Sequence, residues 1–340
     1  MRLLAMLAVA AQHGLTVTGH YDWTRVTLSG VTIGQFGVAI FCALSGWFAL
    51  DGALPAGRWL WRRLARLYPA FWLATLFAFG LALLLHRPVT IYLFLSQMAG
   101  TGFFTHGWDL VNVVSWFISL ILLCYFLAAI ARSTLFPGLV MAIVAALAVL
   151  LVVSGMEIAL SRHVLCFAIA AAVKRTGRPL LLVPAGALFI PMLWWQPSFL
   201  YAVVAFPALL AAQSWRAAPP RLVARCAALC YEFFLLHGLF LAGAARIIQS
   251  APLAIFLGLA ATVPAALALY HSTQWLRRRS STILWLSFVS TARESSGKVD
   301  PIAAIGQCYH PRFQCGGDDR PVPRQRLGAD QAAGGDHRRR

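Results

Sequence analysis

NVVSWFISLILLCYFLAAIA, residues 112–131, is a run of twenty without Asp, Glu, Lys, Arg or His. A helix of that length rises about 30 Å, the thickness of a bilayer's hydrocarbon core, so such a stretch reads as a crossing. An amphipathic helix on a water-soluble core would carry a charged face. This one has none, and the segment predicts a helix surrounded by lipid or by other helices.

The pattern repeats outward in both directions. Apolar runs near spanning length occupy 3–19, 31–50, 67–85, 135–155, 156–173, 179–195, 198–213, 221–247 and 251–272. With 112–131 they make ten, and the expected fold is an all-α polytopic membrane protein with about ten transmembrane helices. The stretch 90–105 is apolar but interrupted by Gln97, Gly100 and Gly102. It reads as a re-entrant or interfacial piece, with an eleventh crossing as the alternative. Composition agrees: 60% of residues are hydrophobic and 11% charged, against roughly a quarter charged in soluble domains. That much apolar surface has no place in a water-exposed protein.

The net charge of +17 does not point to nucleic acid. Only Asp22, Asp51, Asp109, Glu157 and Glu232 precede position 280, while the basic residues gather in short gaps between apolar runs and in the last stretch. With the N-terminus inside and ten crossings, the cytoplasmic loops hold Arg58, Arg62, Arg63, Arg66, Arg132, Lys174, Arg175, Arg178, Arg216, Arg221, Arg225 and Arg277 to Arg279. The outer side receives Arg25, Arg87, Arg162 and Arg246. This is the positive-inside asymmetry. It predicts both termini cytoplasmic, and promoting 90–105 to a crossing would erase it. The excess of Arg over Lys, with Ala and Leu dominant, reads as bacterial and so as the inner membrane. Arg2, a short apolar core and Ala8-Val9-Ala10 also fit a secretory signal peptide, a second reading of the first segment. Residues 1–275 form the expected membrane domain. Residues 276–340, rich in Gly, Pro and Arg, read as a basic cytoplasmic tail that buries too little apolar surface to order itself.

Ionisable groups inside crossings cost about 2.5–3.5 kcal/mol each on insertion scales, and each therefore invites a reason. Arg2 and His13 lie eleven residues apart, close to three helical turns, so they leave the first helix on the same side. The rise between them, about 16 Å, sets His13 near mid-membrane if Arg2 sits at the cytoplasmic edge. A neutral imidazole at that depth suits a general base, or equally a hydrogen-bonded link between helices. Arg62, Arg63 and Arg66 share one face at i,i+3 and i,i+4 spacing, just before Tyr68-Pro69. Guanidinium groups grip phosphates, which fits the phosphates of an acyl-coenzyme A; the same cluster also fits lipid headgroups. Ser45, Trp116, Ser119, Tyr231 and His237 are further polar points able to line a cavity or to satisfy a neighbour. Cys42, Cys124, Cys166, Cys226 and Cys230 lie in apolar segments, and Cys226 and Cys230 lack the His or Cys partners of a zinc site, so no metal is expected.

Taken in order, these segments resemble the acyltransferase-3 family of bacterial membrane acyltransferases that modify surface polysaccharides. The resemblance is carried by Arg2 with His13, by GQFGVAIFCALSGW over 34–47, and by Arg63-x-x-Arg66 followed by Tyr68-Pro69. It continues in WFISL over 116–120 with Tyr125, and in YEFFLLH over 231–237. The glutamate or glutamine common after the fourth segment is replaced among Ile121, Leu122 and Leu123. The resemblance implies acyl transfer, usually of acetyl, from cytoplasmic acyl-CoA as co-substrate to a hydroxyl of a cell-surface or lipid-linked glycan, with no bound cofactor. It casts His13 as general base, Arg2 as the group that orients it or stabilises charge, and Arg62, Arg63, Arg66 and Tyr68 as the acyl-CoA site. Two rival readings are a transporter or flippase of a lipid-linked saccharide, for which no inverted repeat is evident, and a degraded, non-catalytic family member.

Overall fold

The computed structural model describes residues 1–26, 30–156, 158–214 and 220–295, without the side chains of 158 and 279–295. Regular structure among them is helical. In chain order the α-helices are α1 (Arg2–Val17), α2 (Ile33–Trp47), α3 (Ala56–Leu84), α4 (Ile91–Met98), α5 (Gly102–His106) and α6 (Trp116–Arg132). They continue with α7 (Pro137–Val153), α8 (Ile158–Thr176), α9 (Leu182–Ala187), α10 (Leu200–Ser214), α11 (Arg221–Ile247) and α12 (Ala251–Ser295). The chain divides into two units, Met1–Ser280 and Ser281–Arg340. The described part of the second is helical to Ser295, so helix continues past the 275/276 boundary read from composition, through the apolar run TILWLSFV (282–289). The rest of the expected tail, 296–340, lies outside the described residues.

Among the described residues, five helical segments are long and apolar enough to cross a bilayer: Ala56–Leu84, Val113–Arg132, Pro197–Ser214, Arg221–Ile247 and Ala251–Arg278. Helices α1, α2 and α7 are apolar but shorter, at 16, 15 and 17 residues. The run 179–195, expected to be one crossing, is broken instead into a 3-10 turn over Pro179–Leu181, the six-residue α9, and a second 3-10 turn over Pro191–Trp194. Pro179, Pro184 and Pro191 each lack a backbone N–H, and an interior proline also clashes with the carbonyl of the preceding turn. Residues 90–105 form α4 and α5, of eight and five residues, neither long enough to cross.

Within the first unit α8 sits at the centre, packed by α7, α2, α10 and α6. Cys166, Phe167, Ala168, Ala170 and Ala171 on it are fully buried. Helix α2 approaches so closely that a Cβ at Gly46 would overlap the carbonyl oxygen of Phe167. Small residues at a crossing let membrane helices meet backbone to backbone, where dispersion and hydrogen bonds replace the hydrophobic drive. The buried Cys42, Cys124 and Cys166 fill the same region as compact apolar side chains. Helix α1 lies in the groove between α2 and α11, and Ile255 of α12 rests against its Gly14. Helix α3 has 29 residues and rises about 44 Å, longer than a hydrocarbon core, so its first turns, with Arg58 to Arg66, extend beyond the crossing.

Candidate active site

The antiparallel run of α1 beside α2, and the packing of α11 on α1, bring together two histidines that are 224 residues apart. His13 Nδ1 lies 2.8 Å from His237 Nε2. The rings are parallel within 6°, with centroids 4.9 Å apart. His237 is fully buried and donates from Nδ1 to the carbonyl oxygen of Phe234 at 2.7 Å. Asn112, just before α6, steadies this part of α11 by donating from its amide nitrogen to the carbonyl oxygen of Leu235 at 3.0 Å. No group among the described residues bonds His13 Nε2.

His13 faces a small cavity whose walls also include Gln12, Gly34, Gln35, Trp116 and Phe234. Its volume is about 10 Å³, room for about one water. Gln12 is buried and its side-chain oxygen accepts the N–H of Gly34 at 2.7 Å, which ties α1 to the first turn of α2. Gln35 turns away from α1: its oxygen accepts from His163 Nε2 at 2.7 Å and from Arg162 Nη2 at 3.2 Å, both on α8. Arg162 also lies over the ring of Tyr201, 5.0 Å from its centroid. The cavity wall is thus a polar seam, and every link in it joins two helices.

A second polar region lies at the other end of the bundle. Arg63 stacks over Trp59 and Tyr125, with its guanidinium carbon 5.3 and 5.8 Å from the ring centroids, and donates to the carbonyl of Phe48. Arg132, at the last turn of α6, donates to four carbonyls of the turn before α3: Ala49 and Asp51 at 3.0 Å, Gly52 at 2.9 Å and Leu54 at 2.7 Å. Lys174 pairs with Asp51 at 3.7 Å and sits over Trp47. Arg277 donates to the carbonyl of Arg66. Arg62 and Arg66 are exposed. Arg2 is exposed as well, and its charge reaches Tyr125 and Cys230. Three helical turns separate it from His13 on α1.

The remaining expected residues divide. Trp116 lines the cavity and lies 6.0 Å from His163, centroid to centroid. The Tyr68 hydroxyl donates to Ala99 O at 2.7 Å, and beside it Trp72 Nε1 donates to Met98 O at 2.9 Å; together they fasten α4 to α3. Ser119 donates to Gly100 O at 2.7 Å and accepts from the N–H of Phe103, which holds α5 on α6. Tyr231 donates to Leu67 O at 2.9 Å, joining α11 to α3. Ser45 is half-buried beside the α2–α8 approach at Gly46. Sequence reasoning missed Gln12, Gln35 and Asn112 as framework, and Arg132 as a clamp. A buried amide inside an apolar run was the available signal for the first two, because such a group needs a partner in another helix.

These features define a membrane-embedded helical protein with a histidine pair in its interior and arginines at one end. The family model described as an acyltransferase domain, acyltransferase-3, matches residues 1–271, and the chain belongs to that family. Neither the curated proteins nor the solved structures give a match.

Proposed function

We propose that this protein is an O-acyltransferase of the bacterial inner membrane that moves an acyl group, acetyl above all, from cytoplasmic acyl-CoA to a hydroxyl of a cell-surface or lipid-linked glycan. The observation that carries this reading is His13: a ring inside the helix bundle whose Nε2 has no partner among the described residues and which lines a cavity. A general base must offer a lone pair within reach of the hydroxyl that it deprotonates. His13 Nε2 takes the hydroxyl proton, the oxygen attacks the thioester carbonyl, the C–S bond breaks, and the coenzyme A thiolate leaves with the proton that His13 held. Arg63, Arg66 and Arg62 receive the donor's phosphates, with Arg2 adding positive charge beside Tyr125.

The finer topology belongs to the same proposal. Ten crossings, with the broken stretch 179–195 counted as one, put both termini and the arginine end in the cytoplasm. The clustering of Arg63, Arg132, Lys174 and Arg277 around residues 48–67 supports that orientation through the positive-inside rule. The catalytic domain is residues 1–275.

The test is transfer of label from acetyl-CoA to surface glycan by membranes carrying the wild type or His13→Ala, with insertion checked by the amount of folded protein extracted in detergent. Loss of the covalent product in the inserted variant is the expected result. Undiminished product would remove His13 from the chemistry, and movement of glycan with no covalent product would point to a transporter.

A further inference from the structure

We infer that His237 is a positioning residue that fixes the tautomer of His13 and turns its lone pair towards the acceptor. This rests on the reading of His13 as the base. The carbonyl of Phe234 only accepts, so the His237 nitrogen bonded to it, Nδ1, must carry hydrogen. In a neutral imidazole the other nitrogen is then a lone pair. His237 Nε2 is that nitrogen, and at 2.8 Å from His13 Nδ1 it is an acceptor awaiting a donor. His13 Nδ1 therefore carries the hydrogen, and the lone pair of His13 is left on Nε2. A single backbone carbonyl on α11 thus decides, through two rings, which edge of a side chain on α1 is basic.

The ring geometry agrees. Two parallel faces cannot bring nitrogens to 2.8 Å, because ring faces meet at about 3.5 Å. Rings parallel within 6° at that distance meet edge to edge rather than face to face, as an N–H···N bond to a ring lone pair requires. The choice of histidine as the orienting group also has a physical reason. A carboxylate in this role would carry a charge into the bilayer interior, whereas a neutral imidazole offers an acceptor without one. When His13 takes the proton of the acceptor hydroxyl, its Nδ1–H bond to His237 becomes charge-assisted and stronger, which stabilises the protonated state. His237 touches neither donor nor acceptor in this scheme.

Three measurements on the full chain in nanodiscs test the assignment. With ¹⁵N-labelled histidine, and the His13 signals identified by their absence in His13→Ala, the wild type is expected to show hydrogen on Nδ1 and a bare Nε2. The reverse pattern overturns the inference. His237→Phe, which keeps the bulk and removes the acceptor, is expected to lower kcat by about 10²–10⁴-fold, on the scale of losing a correctly held base, with the donor KM unchanged. His237→Gln returns an acceptor oxygen and is expected to recover at least tenfold over His237→Phe; equal activity in the two would reduce His237 to packing. If His13→Ala is inactive while His237→Phe turns over at the wild-type kcat, this inference fails and the acyltransferase reading stands. If His13→Ala is fully active, that reading fails first.

Discussion

The histidine pair and the arginine end work under opposite physical conditions. Around His13 and His237 the surroundings are dry: His237 has no exposed surface and is bonded at both ring nitrogens, and the adjoining cavity has room for about one water. At the other end Arg62 and Arg66 are exposed, and Arg63 rests on aromatic faces. Water is available there to replace a lost partner. In the dry region a misplaced hydrogen bond has no substitute and its loss is felt in full. In the wet region charges are screened within about 8–10 Å, and several act in parallel. Chemistry that depends on one proton's position belongs in the first setting, and capture of a polyanionic donor in the second.

That division predicts which kinetic constant each change moves. The largest effect is expected for His13→Ala, a fall of about 10²–10⁴-fold in kcat with the donor KM within a factor of two, read from initial rates over a range of acetyl-CoA concentrations. A rise in KM with kcat intact would erase the distinction between the regions. Arg63→Ala should do the opposite. Loss of a charged hydrogen-bond partner is worth about 1.5–3 kcal/mol, so donor KM should rise by about ten- to a hundredfold with kcat nearly unchanged. Adding salt to the wild type should raise the same KM in the same direction.

Arg132→Leu probes how the wet end is held. Four carbonyls between Ala49 and Leu54 lose their donor together, though water reaches part of that turn. A loss of about 2–3 kcal/mol in stability, seen as a lower melting temperature in detergent, is expected with kcat preserved. Tyr68→Phe should be the mildest. It removes one hydrogen bond, to Ala99, at about 1 kcal/mol, and leaves the ring packed on Phe71 and Trp72. A large rise in donor KM in that variant would support the binding role that the resemblance implies for Tyr68.

Much of the helical order was legible because hydrophobic length is a local property. The run 221–247 coincides with α11, and 112–131 overlaps α6 within a few residues. The run 156–173 also reads as a helix, and α8 stands there, but hydropathy does not reveal its central place. Helix α8 holds Arg162, His163, Lys174 and Arg175 in 19 residues and falls short of the apolarity of a lipid-facing crossing, yet it is the buried centre of its unit. Hydropathy reports what lipid tolerates, and a helix sheathed by other helices answers to its protein neighbours instead. The run 179–195 erred in the other direction, since its apolar character hid three prolines that divide it.

By itself the sequence determined that the chain is a membrane-embedded helical protein, and it singled out His13, His237 and the arginines of α3 as residues needing a reason. The tertiary structure alone decided that the two histidines meet, and that the Tyr68 and Ser119 hydroxyls donate to neighbouring backbone carbonyls. The cause is the range of the forces. Burial against lipid is set by each segment's own side chains, whereas a hydrogen bond of under 3 Å between residues 224 positions apart exists only once α1, α2 and α11 have packed.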